Sequence, residues 1–156
     1  GSPMNLEVLY QENLELRAKL KLLTDKPLES KKIVHTKADL IFSDYIRKRA
    51  NYCCERCGKH YPPKTNGLQC SHNFSRRYYN IRYHPDNAIA LCHYCHMWYG
   101  NEPIESGKWI VEKIGEEKAN ELIRLKNLPN SQSHPTEEEY EKIIATYLQL
   151  CILESL

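Results

Sequence analysis

The sequence predicts a mixed α+β fold, in which a small strand–strand–helix core is surrounded by helices and preceded by an amphipathic helix. Three observations predict it. Two Cys-x-x-Cys pairs, Cys54/Cys57 and Cys92/Cys95, bracket the middle of the chain. Four thiolates in two such pairs suit one tetrahedral structural zinc, because a two-residue gap lets a tight turn present both sulfurs at about 2.3 Å from one ion. Between the pairs lie two short runs that read as strands, 67–71 and 87–91, with a helix opening at His93 inside the second pair. On either side of this core, apolar residues recur at helical spacing.

Residues 1–4, beginning Gly1-Ser2-Pro3, read as a cloning remnant. Residues 5–25 carry Leu6, Leu9, Leu16, Leu20 and Leu23, and the missing member of that three–four alternation is Asn13. In heptad terms Leu6, Asn13 and Leu20 are a positions, and Leu9, Leu16 and Leu23 are d positions. One Asn in a Leu seam fixes register and a parallel two-stranded state, and Glu12 at g would attract Arg17 at the following e. The expectation is a homodimer through this helix. About three heptads is marginal for an isolated coiled coil, and an amphipathic helix packed on its own domain shows the same stripe.

Pro27 ends that helix, and a linker containing Lys and Ser runs to about residue 35. Thr36 reads as an N-cap with Asp39 three residues on, opening a helix through Leu40, Ile41, Tyr45 and Ile46 to about Arg49. The zinc-stapled core occupies 52–100 within a central domain of 36–127. Its closing helices are 103–114, with Ile104, Trp109, Ile110 and Ile114 on one stripe, and 116–127, with Ala119, Leu122, Ile123 and Leu125, separated by Gly115. A polar, proline-flanked linker follows over 128–135. Thr136, with Glu139 at the capping-box position, then opens the C-terminal packing helix of 136–156, whose stripe is Tyr140, Ile143, Ile144, Tyr147, Leu148 and Cys151. Cys151 reads as a small buried apolar residue and Trp109 as a core anchor.

At 156 residues the chain is about one domain long. No window approaches the roughly 18 uninterrupted apolar residues of a membrane span, and nothing at the N-terminus resembles a signal peptide. Seven cysteines, an odd count with four at zinc spacing, argue for reduced thiols in a cytoplasmic compartment rather than a disulfide scaffold. The formal net charge is only +2, but it is unevenly placed. Over 45–84 there are nine basic residues against one acid, Glu55, whereas from residue 101 onward there are six against eleven. Positive charge clustered on the zinc-stapled segment is the electrostatic footprint of phosphate-backbone binding.

Within the staple the residue types suit phosphodiester hydrolysis, which needs an activated water, stabilisation of transition-state charge, and help for a poor alkoxide leaving group. A His suits the first task near neutral pH, and His72, after a strand and before an arginine pair, is the candidate base. One hard divalent ion, Mg²⁺ or Mn²⁺, suits the other two tasks. His96, immediately after Cys95, is its best protein ligand, with His84, Asp86 and His93 as nearby alternatives. Asn87 is expected to bond across the loop and orient the strand carrying His72. Arg76, Arg77 and Arg82 are expected to clamp phosphates, since guanidinium offers two parallel hydrogen bonds. Tyr78, Tyr79 and Tyr83 suit stacking on unpaired bases and core packing equally well.

The run Leu68-Gln69-Cys70-Ser71-His72, then Ser75-Arg76-Arg77, Arg82-Tyr83, Pro85-Asp86-Asn87 and Leu91-Cys92-x-x-Cys95-His96, resembles an HNH endonuclease. More narrowly it is similar to the phage recombination nucleases of the NinG/Rap type, over about residue 38 to the C-terminus. The resemblance implies a ββα-metal fold with His72 as general base, Asn87 as the structural asparagine, His96 on a catalytic Mg²⁺ or similar ion, and zinc on the four cysteines. It further implies DNA, branched or flapped in recombination, as substrate, in the cytosol of a phage or bacterial host. Many members place a metal-binding Asp directly before the catalytic His; here that place holds Ser71, which leaves the ion's second protein ligand open. A catalytically silent, zinc-stabilised DNA-binding or assembly module is the alternative reading.

Overall fold

The computed structural model describes residues 31–155 and, ahead of them, residues 11, 12, 14–16, 18 and 19. Those seven are helical, which agrees with the helix expected over 5–25. Leu6, Leu9, Asn13, Leu20 and Leu23, which define its seam, lie outside the described residues.

Helix α1 spans Lys31–Arg49. Its start corrects the expectation of an N-cap at Thr36, which lies inside the helix. A capping pattern is a local preference, and with no proline or glycine between Lys31 and Thr36 nothing breaks the helix there. The end falls at Arg49, where Asn51 and Tyr52 adopt left-handed backbone with φ of 54° and 56°. Their amides return to the carbonyls of Lys48 and Arg47, so the chain reverses out of α1 straight into the first cysteine pair.

The chain divides into two compact units. The larger, Ile46–His134, holds the only sheet among the described residues, an antiparallel pair of β1, Leu68–His72, and β2, Ala88–Cys92. The register sets Leu68 opposite Cys92, Gln69 opposite Leu91 and His72 opposite Ala88. Each strand lies one residue later than the sequence suggests, and every residue of β2 is buried. The loop between them folds a short helix not expected from sequence, α2 (Tyr79–Arg82), and a single 3₁₀ turn at Pro85–Asn87. Helix α3 (His93–Asn101) leaves β2 without a connecting loop and packs on both strands.

Helices α4 (Pro103–Ile114) and α5 (Glu116–Lys126) complete this unit at nearly the expected bounds. Gly115 separates them with φ of 91°, a left-handed conformation that favours glycine. Ile110 and Leu122 are buried, but Ile104 is 79 % exposed and does not belong to the stripe assigned to it. Trp109 is half-buried, edge-on to the ring of Trp98.

The second unit joins residues up to Tyr45 with those from Pro135. Thr136 caps α6 (Glu137–Glu154), its hydroxyl accepting from the Glu139 amide at 3.1 Å. The buried face of α6 is Tyr140, Ile144, Tyr147 and Cys151, and Phe42 and Tyr45 of α1 meet the Tyr147 ring at 4.9 and 5.3 Å between centroids. The fold is therefore mixed α+β as expected. No described helix is long and apolar enough to cross a membrane.

Candidate functional site

The two cysteine pairs are built differently. In the first, the Cys54 and Cys57 sulfurs are brought together by a turn in which the Gly58 amide donates to the Cys54 carbonyl at 2.8 Å and Gly58 takes φ of 79°. In the second, Cys92 ends β2 and caps α3, while Cys95 lies in the first helical turn, three residues on and therefore on the same helix face. Together they place four reduced sulfurs within 4.8 Å of one another, so these residues could hold one metal ion. Cys57 and Cys92 are 3.8 Å apart.

The thiols differ in acidity. Burial pushes Cys54 up, but backbone amides of Cys57, Cys92 and Arg56 more than offset it and bring its pKa down to about 6. Burial lifts Cys95 to about 12 against the pull of Arg56. Clustered thiolates repel one another, and a cation between them removes that conflict. Arg56 supplies part of the positive charge, its Nη1 3.5 Å from the Cys95 sulfur and its guanidinium 3.7 Å over the Trp98 ring.

Glu55 ties the first cysteine pair to the sheet, a part that the sequence did not suggest. Its carboxylate accepts from the Ala90 amide at 2.7 Å, and its own amide donates to the Ala90 carbonyl at 2.9 Å. The first cysteine pair is thus pinned to β2 two residues before Cys92. Glu55 is the one acid in the basic stretch, and that isolation is the signal that could have found it.

His72 stands at the last position of β1, and its side chain follows the departing loop. Its Nε2 lies 2.9 Å from the Arg82 carbonyl oxygen. A carbonyl only accepts, so in the neutral ring Nε2 carries the proton and Nδ1 the lone pair. The loop that supplies this carbonyl is tied down throughout. Asn87, fully buried, donates through Nδ2 to the Ile81 carbonyl at 3.0 Å and accepts through Oδ1 from the Phe74 amide at 2.9 Å. Arg49 donates to the carbonyls of Pro85 and Ala88 at 2.8 and 2.9 Å. Asn73, beside His72, donates to the Asp86 carbonyl and accepts from the Tyr99 hydroxyl, whose pKa burial raises to about 12 and so keeps protonated.

The three arginines of the loop separate. Arg76 and Arg77 are exposed, but Arg82 is 6 % exposed, donates to the Arg76 carbonyl at 3.2 Å and lies over the Tyr79 and Tyr83 rings at 5.2 and 5.8 Å. The guanidinium of Arg82, expected from sequence to clamp phosphate, is thus engaged by its own loop. Tyr83 is buried and belongs to the core, whereas Tyr78 and Tyr79 are half-buried.

His96 lies in α3, one residue after Cys95, and its Nδ1 contacts Oε1 of Gln69 on β1. Burial, then the neighbouring His93, holds its pKa below the ordinary value, so the ring is neutral and able to offer a lone pair at neutral pH. The other candidate ligands fare differently. His84 accepts the Asp86 amide through Nδ1 at 3.1 Å, the Asp86 carboxylate lies 3.7 Å from Lys118, and His93 is exposed. The Ser71 hydroxyl is buried and meets no hydrogen-bond partner among the described residues. Comparison of the chain with protein-family models, with curated proteins and with solved structures returns no match.

Proposed function

We propose that the chain is a metal-dependent DNA endonuclease of the HNH type, with a ββα-metal core made of β1, β2 and α3. The observation that carries this reading is the bond from His72 to the Arg82 carbonyl, in a loop held by Asn87. With Nε2 donating there, the ring's lone pair, which would take a proton from water, is on Nδ1, while Arg76 and Arg77 are exposed on the same loop. Deprotonated water attacks phosphorus, the P–O bond to the leaving sugar oxygen breaks, and that oxygen takes up a proton. A divalent cation on His96 would supply charge stabilisation at the scissile phosphate. Zinc suits the four cysteines, since tetrahedral Zn–S bonds of about 2.3 Å separate ligand sulfurs by about 3.8 Å, the spacing of Cys57 and Cys92.

Supercoiled, linear, flapped and four-way-junction DNA incubated with Mg²⁺ or Mn²⁺, and with chelator, tests the proposal. Metal-dependent cutting should fall about 10²- to 10⁴-fold in His72→Ala. Cutting by that variant at the parent's rate would sink the assignment of the base. A second reading, a silent zinc-stabilised module that binds DNA or assembles through its N-terminal helix, is favoured by Ser71, an uncharged residue where a metal-binding carboxylate is expected. Shifted DNA mobility without cutting of any substrate would select it.

A further inference from the structure

We propose that Gln69 is a positioning residue that decides which nitrogen of His96 faces a divalent cation; the inference rests on the reading of His96 as a metal ligand. Gln69 is held in the strand ladder opposite Leu91, the residue before Cys92, and His96 follows Cys95. Both partners are thus fastened to the cysteine cluster, Gln69 through the β1–β2 ladder and His96 through α3, one residue after Cys95. Their side chains meet through Gln69 Oε1 and His96 Nδ1.

An amide oxygen has no proton to give. With the amide oxygen turned toward Nδ1, the ring proton sits on Nδ1 and the lone pair on Nε2, which would make Nε2 the ligand atom for a cation. Metal-binding imidazoles depend on such an acceptor, whose loss weakens metal affinity about 10- to 100-fold. The site also has no carboxylate at Ser71 to compensate, so ring orientation carries more of the binding than it would in a carboxylate-rich site.

The test uses the full chain loaded with zinc and no DNA. Nitrogen-15 NMR of the His96 ring reads the tautomer, and electron paramagnetic resonance of free Mn²⁺ reads metal binding. The parent should carry the proton on Nδ1. In Gln69→Leu the proton should redistribute between the nitrogens and the Mn²⁺ dissociation constant should rise about 10- to 100-fold, with zinc content and circular dichroism unchanged. Gln69→Glu keeps an acceptor and should restore both readouts.

A parent ring protonated on Nε2, or a tautomer and Mn²⁺ affinity that Gln69→Leu leaves unchanged, would overturn the role of Gln69 while leaving His96 as a ligand. A parent with the proton on Nδ1 that binds no Mn²⁺ would overturn the ligand role of His96, and this proposal with it.

Discussion

In the Ile46–His134 unit, polar side chains reach across long sequence separations to backbone groups: Arg49 to Pro85 and Ala88, Asn87 to Phe74 and Ile81, Glu55 to Ala90. In the unit of α1 and α6, the two helices meet through rings, with Phe42, Tyr45 and Tyr147 at the centre, and the Thr136 cap bonds only three residues along its own helix. A helix satisfies its own backbone, so a helix pair needs only to bury area. A fifteen-residue excursion between two five-residue strands leaves amides and carbonyls that only side chains can satisfy, and each such side chain must be of one kind in one place. The unit carrying the candidate site is thus specified by individual atoms. Its companion is specified by pattern.

The largest expected effect is on the first unit. If the cluster holds zinc, stripping it should cost on the order of 10 kcal/mol of binding free energy that is also folding free energy, and Cys92→Ala, which removes one of four ligands, should cost part of that. Both tryptophans of the chain, Trp98 and Trp109, lie in this unit, so their fluorescence should report its melting while tyrosine circular dichroism from the α1–α6 unit persists. Simultaneous loss of both signals on chelation would break the contrast.

Side-chain truncation should sharpen it. Phe42→Ala should destabilise its unit by about 3–5 kcal/mol through lost area and a cavity, and Phe42→Leu should recover most of that. Asn87→Ala removes two bonds and leaves the half-buried Phe74 amide without the Asn87 oxygen, for about 1–3 kcal/mol, and Asn87→Leu should recover nothing. Denaturant midpoints of the four variants decide it; rescue of Asn87 by leucine would refute the claim that its loop needs particular atoms.

The smallest effect is one of pH. In the metal-free protein Cys54, with its pKa near 6, is a thiolate at pH 7 and a thiol at pH 5, so zinc binding should release about 0.8 of a proton more at pH 5. Affinity should accordingly steepen its decline as pH falls through 6. Calorimetric titration in buffers of different ionisation enthalpy measures the difference, and equal proton release at both pH values would show that Cys54 gains nothing from its backbone amides.

What the sequence made legible follows the same divide. Helices α4, α5 and α6, the Thr136 cap and the four-sulfur cluster are written in local spacing, and each was readable within a residue or two. The strands were displaced by one residue because turn preferences blur strand ends. The early start of α1, the folding of α2 inside the loop, the burial of Arg82 and the pairs Glu55–Ala90 and Gln69–His96 were not readable. The first depended on helix propagation overriding a capping pattern, and the rest join residues whose partnership exists only after the chain has folded. Arg76, Arg77 and Arg82 are the same residue type within seven positions, yet only the fold separates two solvent-facing cations from one enclosed by tyrosine rings.

The unequal exposure of the four sulfurs sets how a bound ion would leave. Cys54, Cys92 and Cys95 are 2–3 % exposed, whereas Cys57 faces solvent. Ligand exchange would begin at that one sulfur, where a competing thiol or chelator gains its first foothold and an oxidant meets its first electron pair. The lifetime of the metal would then be governed by a single door, and substituting Cys57 would change the speed of exchange before anything else.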